Sequence, residues 1–410
     1  MISAALIRKE KIKIIFIMMV LFILFSGCAA KEKQDTSDPY SEVKLMAATD
    51  LHYLSETLYD KNSVIFGKLK DSNDGKLFEE STAILEALKE KTIEERPDAL
   101  LLSGDLTFNG ELVSLKEMAK VFAEIEEAGI PVLVISGNHD ICYGGAASYF
   151  GDKAEIVTQI TPEMFADVMG SYGFSEALHR DPSSLSYVYE LKDDLWLMVL
   201  DANMPGYTGT VLPETMTWAE PLLAEAMEKE IHVIVMSHQN VLPHNSMMYN
   251  GYVINNHEAL AHMLRKYGVQ LSLSGHSHLE HTAVSEGLTD ICSESLAIYP
   301  LQYSVITIPG DRDGYTYAKK KLGILEQESY DRFAGTVFRM TPEIVGQATD
   351  DPSEQAVMTE YAAALNAAYF SGDYETVRLL AEDPARKLWQ EKAGDSFWGY
   401  YLENIFTEIR

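Results

Sequence analysis

Five short segments place carboxylate, imidazole and amide side chains directly after apolar runs. They are TDLH, with Asp50 and His52; SGD, with Asp105; SGNHD, with Asn138, His139 and Asp140; MSH, with His238; and SGHSH, with His276 and His278. In chain order they read D-x-H, GD, GNHD, H and GHxH. Oxygen and imidazole donors without thiolates suit divalent first-row ions. A single residue between two donors in a turn lets their side chains diverge toward two ions. Two metals about 3.5–4 Å apart suit displacement at phosphorus, because they clamp the attacking and leaving oxygens and acidify a water. The glycines before Asp105, Asn138 and His276 fit sharp strand-to-loop turns, where a Cβ would crowd the backbone. Each segment alone carries little. The weight lies in five of them, in order, each at the end of an expected strand.

The elements that must position these groups are legible in the hydrophobic pattern. VKLMAAT (43–49), DALLLSG (98–104) and PVLVISG (131–137) read as buried strands. Residues 76–96 read as an amphipathic helix stopped at Pro97, and residues 111–128 as a second helix. After an irregular insertion (141–184), LSYVYEL and LWLMVLD predict a hairpin across residues 192–194. Helices over 213–229 and 255–267 then alternate with IHVIVMS and VQLSLSG, and LQYSVITI closes a β-rich stretch. Such alternation predicts strands sandwiched between helix layers, with function at their carboxyl ends. From Glu326 the pattern turns helical, broken only at residues 371–373 and 383–385.

The five segments together resemble the calcineurin-like metallophosphoesterases, and the resemblance runs from Asp50 to His278. It implies an α/β fold, a four-layer sandwich of two central mixed sheets flanked by helices, here followed by an all-helical C-terminal module. It also implies that one metal takes Asp50, His52, Asp105 and His278, and the other Asp105, Asn138, His238 and His276. His139 is then no ligand but faces the phosphate and protonates the leaving oxygen, with Asp140 orienting it. The longer text TDLHY, SGDLTFNGE and SGNHDI, with the leader and the helical tail, looks like bacterial extracytoplasmic cyclic-nucleotide phosphodiesterases. That likeness implies attack by a metal-bridging hydroxide on a small phosphodiester, most simply a cyclic nucleotide. The ions can be Mn, Fe or Zn, since the donor set does not choose. Rival readings on the same cage are a 5′-nucleotidase or other phosphomonoesterase and a cell-wall glycerophosphodiester hydrolase. A non-catalytic surface-binding lipoprotein would be expected to have lost ligands, and every expected ligand is present.

At the start of the chain, Arg8, Lys9, Lys11 and Lys13 precede an apolar run from Ile14 to Phe25, then LFSGC and a polar stretch. Twelve residues are short for a bilayer span but fit a signal-peptide core. This resembles a bacterial lipoprotein signal with Cys28 as the lipidated residue, although Phe25 departs from the usual aliphatic residue. The expected organisation is a signal peptide (1–27), lipidated Cys28 with a polar tether (28–42), a metallophosphoesterase domain (43–322) and a helical domain (323–410). The body then sits on the extracytoplasmic face of the membrane. Cys142 and Cys292 read as separate core thiols. A formal net charge of −29 repels nucleic-acid polymers, and no basic stripe offsets it. A small anionic substrate stays compatible, because two cations would reverse the local sign.

Candidate substrate contacts are Asn138, His139 and Asn109, the last serving either the substrate or the turn before the 111–128 helix. Tyr53 has the choice between core packing and stacking on a base. The insertion, with Tyr143, Tyr149, Phe150, Tyr172 and Phe174, is the expected specificity wall, and the helical tail a packing or dimerisation module that can edge the pocket. HEALAH (257–262) is a decoy. Its histidines stand five apart, about 140° around a helix, and cannot share an ion. His281 belongs to no motif.

Overall fold

Two mixed sheets stack face to face in the computed structural model, which describes residues 41–409; the basic leader and Cys28 lie outside the described residues. The first sheet contains β1 (Val43–Ala48), β2 (Ala99–Leu102) and β3 (Val132–Val134), joined late in the chain by β13 (Gln302–Ile308) and β14 (Thr316–Lys321). Its order is β14-β13-β1-β2-β3, with β1, β2 and β3 parallel and β13 antiparallel to β1. The second contains β6 (His179–Arg180), β7 (Tyr187–Lys192), β8 (Leu195–Leu200), β9 (His232–Ser237), β10 (Leu271–Ser274), β11 (His281–Ser285) and β12 (Leu288–Cys292). Its order is β11-β12-β10-β9-β8-β7-β6. A separate hairpin, β4 (Ala147–Phe150) with β5 (Lys153–Ile156), gives the insertion its own structure.

The period-2 side-chain alternation of a strand decides which core each residue joins. In β8, Leu195, Leu197 and Val199 enter the core between the sheets, whereas Trp196, Met198 and Leu200 enter the core beneath the outer helices. Full burial of each such side chain contributes about 1.5–3 kcal/mol. Helices α2 (Ser81–Glu95) and α3 (Leu112–Glu127) follow α1 (Val64–Ser72) and cover the first sheet through Leu88, Leu115 and Phe122. The short α4 (Asn138–Ile141) and α5 (Pro162–Val168) come next. Helices α6 (Pro213–Glu228) and α7 (His257–Lys266) cover the second sheet through Leu223 and Leu260. The result is the expected four layers. The helix expected from residue 76 begins five residues later, because Asn73 Oδ1 accepts the amides of Gly75 and Lys76 and turns the chain there.

Six helices complete the chain: α8 (Glu326–Met340), α9 (Pro342–Ala348), α10 (Pro352–Phe370), α11 (Tyr374–Leu380), α12 (Pro384–Ala393) and α13 (Phe397–Glu408). The breaks read from the sequence are caps: Asp373 accepts from the Thr376 amide and Asp383 from that of Ala385. These helices bury Met358, Leu365, Trp389 and Leu402 in a core of their own, which Leu279 from the GHSH loop also enters. Residues Glu42–Arg410 form one compact unit. No helix among the described residues is long and apolar enough to cross a membrane.

Candidate metal centre

All five motif segments converge at the carboxyl ends of β1, β2, β3, β9 and β10. Asp50, His52 and His278 form one cluster of donor atoms, and Asp105, His238 and His276 a second. Asp105 lies between them: its Oδ2 is 3.9 Å from His52 Nε2 and 3.3 Å from His238 Nε2. Its Oδ1 is held by the His139 amide at 2.7 Å, which aims the other oxygen. Asn138 Oδ1 joins the second cluster at 3.1 Å from His238 Nε2. Asp50, His52, Asp105, His276 and His278 all adopt left-handed backbone conformations, with φ from 44° to 68°. Such residues cost about 1–3 kcal/mol each and persist where function demands them. Gly137 and Gly275 are required by close approach. A Cβ at Gly137 would lie 2.1 Å from Asp105 Oδ1, and one at Gly275 2.6 Å from Asp50 Oδ2. The crowding is therefore against Asp105 at the first position and against both Thr49 and Asp50 at the second.

Hydrogen bonds decide which imidazole nitrogen is free. His238 Nδ1 donates to the Ser103 carbonyl at 2.8 Å, which leaves Nε2 for the cluster. His276 Nε2 donates to the Gly251 carbonyl at 2.7 Å, which leaves Nδ1. Such anchoring of the far nitrogen is how proteins orient metal-binding histidines. His52 Nε2 and His278 Nε2 face each other at 3.3 Å, both beside Asp50 Oδ1. Two imidazole nitrogens and a carboxylate oxygen thus converge on one position, a donor set that suits a cation. The residues present therefore fit two cations with N/O coordination.

The electrostatics agree. Burial opposes ionisation of Asp50 and Asp105, yet neighbouring imidazoles hold both carboxyls below the usual carboxylate range. Burial keeps His52 and His276 neutral, the latter pushed down to about 4. Burial acts the same way on His238, but Asp105 and Asp50 overcome it and raise its pKa to about 9. Two ionised carboxylates thus demand positive charge between them.

His139 differs from the ligands. Its Nδ1 contacts the Phe108 carbonyl and Asn109 Oδ1, each at 2.9 Å, and Tyr143 stacks on its ring at 4.4 Å. Two acceptors at Nδ1 fix the proton there and turn Nε2 toward the clusters. Asp140, expected to orient His139, does something else. Its carboxylate accepts from the amides of Leu106, Thr107 and Gly137 and from the Thr107 hydroxyl, stapling the β2 and β3 loops together. A residue next to His139 on the one-turn α4 points away from the histidine ring, so the orienting partner comes from Asn109 instead.

Residues 43–280 match the model of the calcineurin-like phosphoesterase family. The chain belongs to this family. It is 23% identical over 188 residues to a probable cyclic nucleotide phosphodiesterase of Moraxella catarrhalis, covering 45% of this chain and 60% of that one. A probable cyclic nucleotide phosphodiesterase of Psychrobacter arcticus is 22% identical over 286 residues, covering 69% of this chain and 87% of the relative. The match thus spans less than two thirds of the Moraxella protein. Among solved structures, a dimetal phosphatase from Danio rerio aligns with a TM-score of 0.47 at 13% identity, covering 67% of this chain and 98% of that one.

Other expectations for this phosphoesterase fare differently. Of the aromatics in the 141–184 insertion, Tyr143 stacks on the His139 ring and Tyr149 meets the side chain of Asn109. Tyr172 and Phe174 are buried in the main core, Tyr172 against Phe122 of α3, Tyr149 packs beside Phe108, and Phe150 sits on the exposed hairpin. The cavity wall comes instead from the C-terminal helices, which line a space of about 490 Å³ together with Asp105, Asn138, His139, His276 and His278. Tyr53 is buried, its hydroxyl donating to Glu117. In the decoy, His257 Nε2 bonds the Tyr249 hydroxyl while His262 is exposed on the same helix. His281 opens β11 and pairs with His244 at 3.1 Å. Cys142 and Cys292 are free thiols. Lys76 was missed. It lines the cavity with its side chain only 8% exposed, its ammonium 2.9 Å from Asp74. The turn signal SNDG preceding it was the available clue.

Proposed function

We propose that this chain is a dinuclear-metal phosphodiesterase acting on small phosphodiesters, most simply cyclic nucleotides. The observation that carries the reading is the single carboxylate of Asp105 standing between two imidazole–carboxylate clusters. Asp50, His52, Asp105 and His278 would hold one cation, and Asp105, Asn138, His238 and His276 the other. When bound, the pair supplies Lewis-acid neutralisation of phosphoryl charge and lowers the pKa of water. His139 delivers a proton to the leaving oxygen from Nε2, since Nδ1 is committed to Phe108 and Asn109. Burial lowers the pKa of this histidine and makes it the stronger acid. The names of the relatives support a cyclic nucleotide as the substrate. Hydrolysis of bis-p-nitrophenyl phosphate against p-nitrophenyl phosphate, with Mn²⁺ and then with chelator, tests the reading. A clear diester preference abolished by chelator is the expected result.

One observation favours a second reading, a phosphomonoesterase. Lys76 brings a buried ammonium to the cavity, and a monoester carries an additional negative charge for it to meet. In that case the monoester is the better substrate, and Lys76→Gln lowers its turnover selectively.

The basic residues, apolar run and Cys28 support a further proposal, attachment to the extracytoplasmic face of a membrane through a lipidated Cys28. Cys28→Ser should move the protein from the membrane fraction to the soluble one, and unchanged fractionation would refute the anchor.

A further inference from the structure

The family match ends at residue 280, but the cavity does not. Its far wall is built by Phe333 and Val337 of α8, Asn366 and Phe370 of α10, and Trp398 and Tyr401 of α13. The Asn366 amide and the Tyr401 hydroxyl of this wall already have partners within the helices. The Tyr401 hydroxyl donates to Asn366 Oδ1 at 2.6 Å, and Asn366 Nδ2 donates to the Ala362 carbonyl at 2.8 Å. What remains to face a ligand is chiefly aromatic and aliphatic surface. At the mouth, Phe397 and Met340 extend the same character, 65% and 62% exposed.

This wall is tied to the metal-binding end at two places. The loop carrying Met248 and Tyr252 also carries the Gly251 carbonyl that anchors His276. That loop is bound to the helices by Asn245 donating to the Tyr369 hydroxyl and by Ser246 donating to Glu408. On the opposite side, Arg332 donates to the Lys76 carbonyl and Arg339 to that of Asn73, which fixes the turn presenting Lys76. The helices therefore form one wall of the same chamber whose other end holds the two clusters.

We propose that the C-terminal helices seat the organic group of the substrate as a flat aromatic ring system, a nucleobase or another aryl group, while its phosphate reaches the clusters. The proposal rests on the phosphoesterase reading above and names the substrate class of that site. Aromatic side chains accept a planar ring on its face without asking for hydrogen bonds. A glycerol or sugar hydroxyl buried against the same wall would lose its water partners with nothing in return. The volume suits a ligand of nucleotide size, and the bulk of a diacyl lipid or a polymer would project from it.

The deciding experiment follows intrinsic tryptophan fluorescence, with Trp398→Phe to identify the contribution of the wall, in the metal-loaded protein and again with chelator, on titration with adenosine, glycerol or a fatty acid. Saturable quenching by adenosine in both states, with no response to glycerol and a weaker one to fatty acid, is the expected result. Phe397→Ala, an exposed position whose truncation leaves the fold intact, should weaken adenosine about tenfold. The same variant should raise KM for an aryl or nucleoside phosphodiester by a similar factor, with kcat within about twofold and glycerophosphodiesters unaffected. No quenching by adenosine, or preference for the fatty acid, would overturn the proposal. Adenosine binding without any phosphoester turnover would leave the wall as assigned and refute the phosphoesterase reading instead.

Discussion

The two ends of the active chamber are built on opposite principles. At one end, loops after five strands hold buried carboxylates and imidazoles, five of them in strained left-handed conformations, with Asp105, His238 and His276 aimed by hydrogen bonds to their far sides. At the other, regular helices present mostly apolar side chains, with Asn366 and Tyr401 hydrogen-bonded within the helices. The first end gathers ionisable groups whose charges depend on one another. The second is at ease in its fold and offers only shape and surface. Chemistry is thus concentrated where the backbone is least comfortable, and selection is left to ordinary helix packing.

The largest expected effect comes from removing the group shared by both clusters. Asp105→Ala should empty both metal positions and drop turnover to the uncatalysed level; one fully occupied ion on metal analysis would contradict sharing. His139→Ala should keep both metals and lose about 10²–10⁴-fold in turnover. That loss should shrink for a p-nitrophenolate leaving group, which needs little protonation, and an equal loss for all leaving groups would remove His139 from the acid role.

A smaller effect isolates the positioning of His139. Asn109→Ala should cost about tenfold in kcat with KM nearly unchanged, since the Phe108 carbonyl still holds Nδ1. Asn109→Asp should carry activity to higher pH, because a carboxylate at that atom favours the protonated imidazole. A pH profile identical to that of the parent protein would mean Asn109 does not act through His139.

The smallest effect is one of stability. Burial pushes the Glu111 carboxyl up to about 7, although the Asn109 amide donates to it. The folded state therefore binds this proton more tightly than the unfolded chain. Its contribution is fully present below about pH 4.5 and is lost as pH rises through about 7, on the order of 3 kcal/mol. Glu111→Gln should flatten that part of the slope in denaturant midpoints measured at pH 5 and pH 8. An unchanged slope would show the carboxyl to be ionised throughout.

How much was legible from the residues alone follows the same division. The donors are chemically rare types repeated after apolar runs, so Asp50, His52, Asp105, Asn138, His238, His276 and His278 could be singled out and are found together. Strand alternation likewise specified the layers, because a period of two leaves β8 little freedom over which side chains go inward. Asp140 was misjudged because adjacency in sequence does not give direction: the α4 turn sends its carboxylate to the β2 loop. The insertion was mistaken for the wall because it is rich in aromatics, whereas Tyr172 and Phe174 serve the core.

From its sequence, then, this protein had its metal-type donors, its strand–helix alternation and its helical tail already determined, since each is a local pattern of residue type and spacing. Only the tertiary structure decided that Asn109 holds His139, that Lys76 enters the cavity and that helices distant in sequence close it. Those facts depend on where separate segments meet. Apolar residues at helical spacing look the same whether they face a core or a substrate.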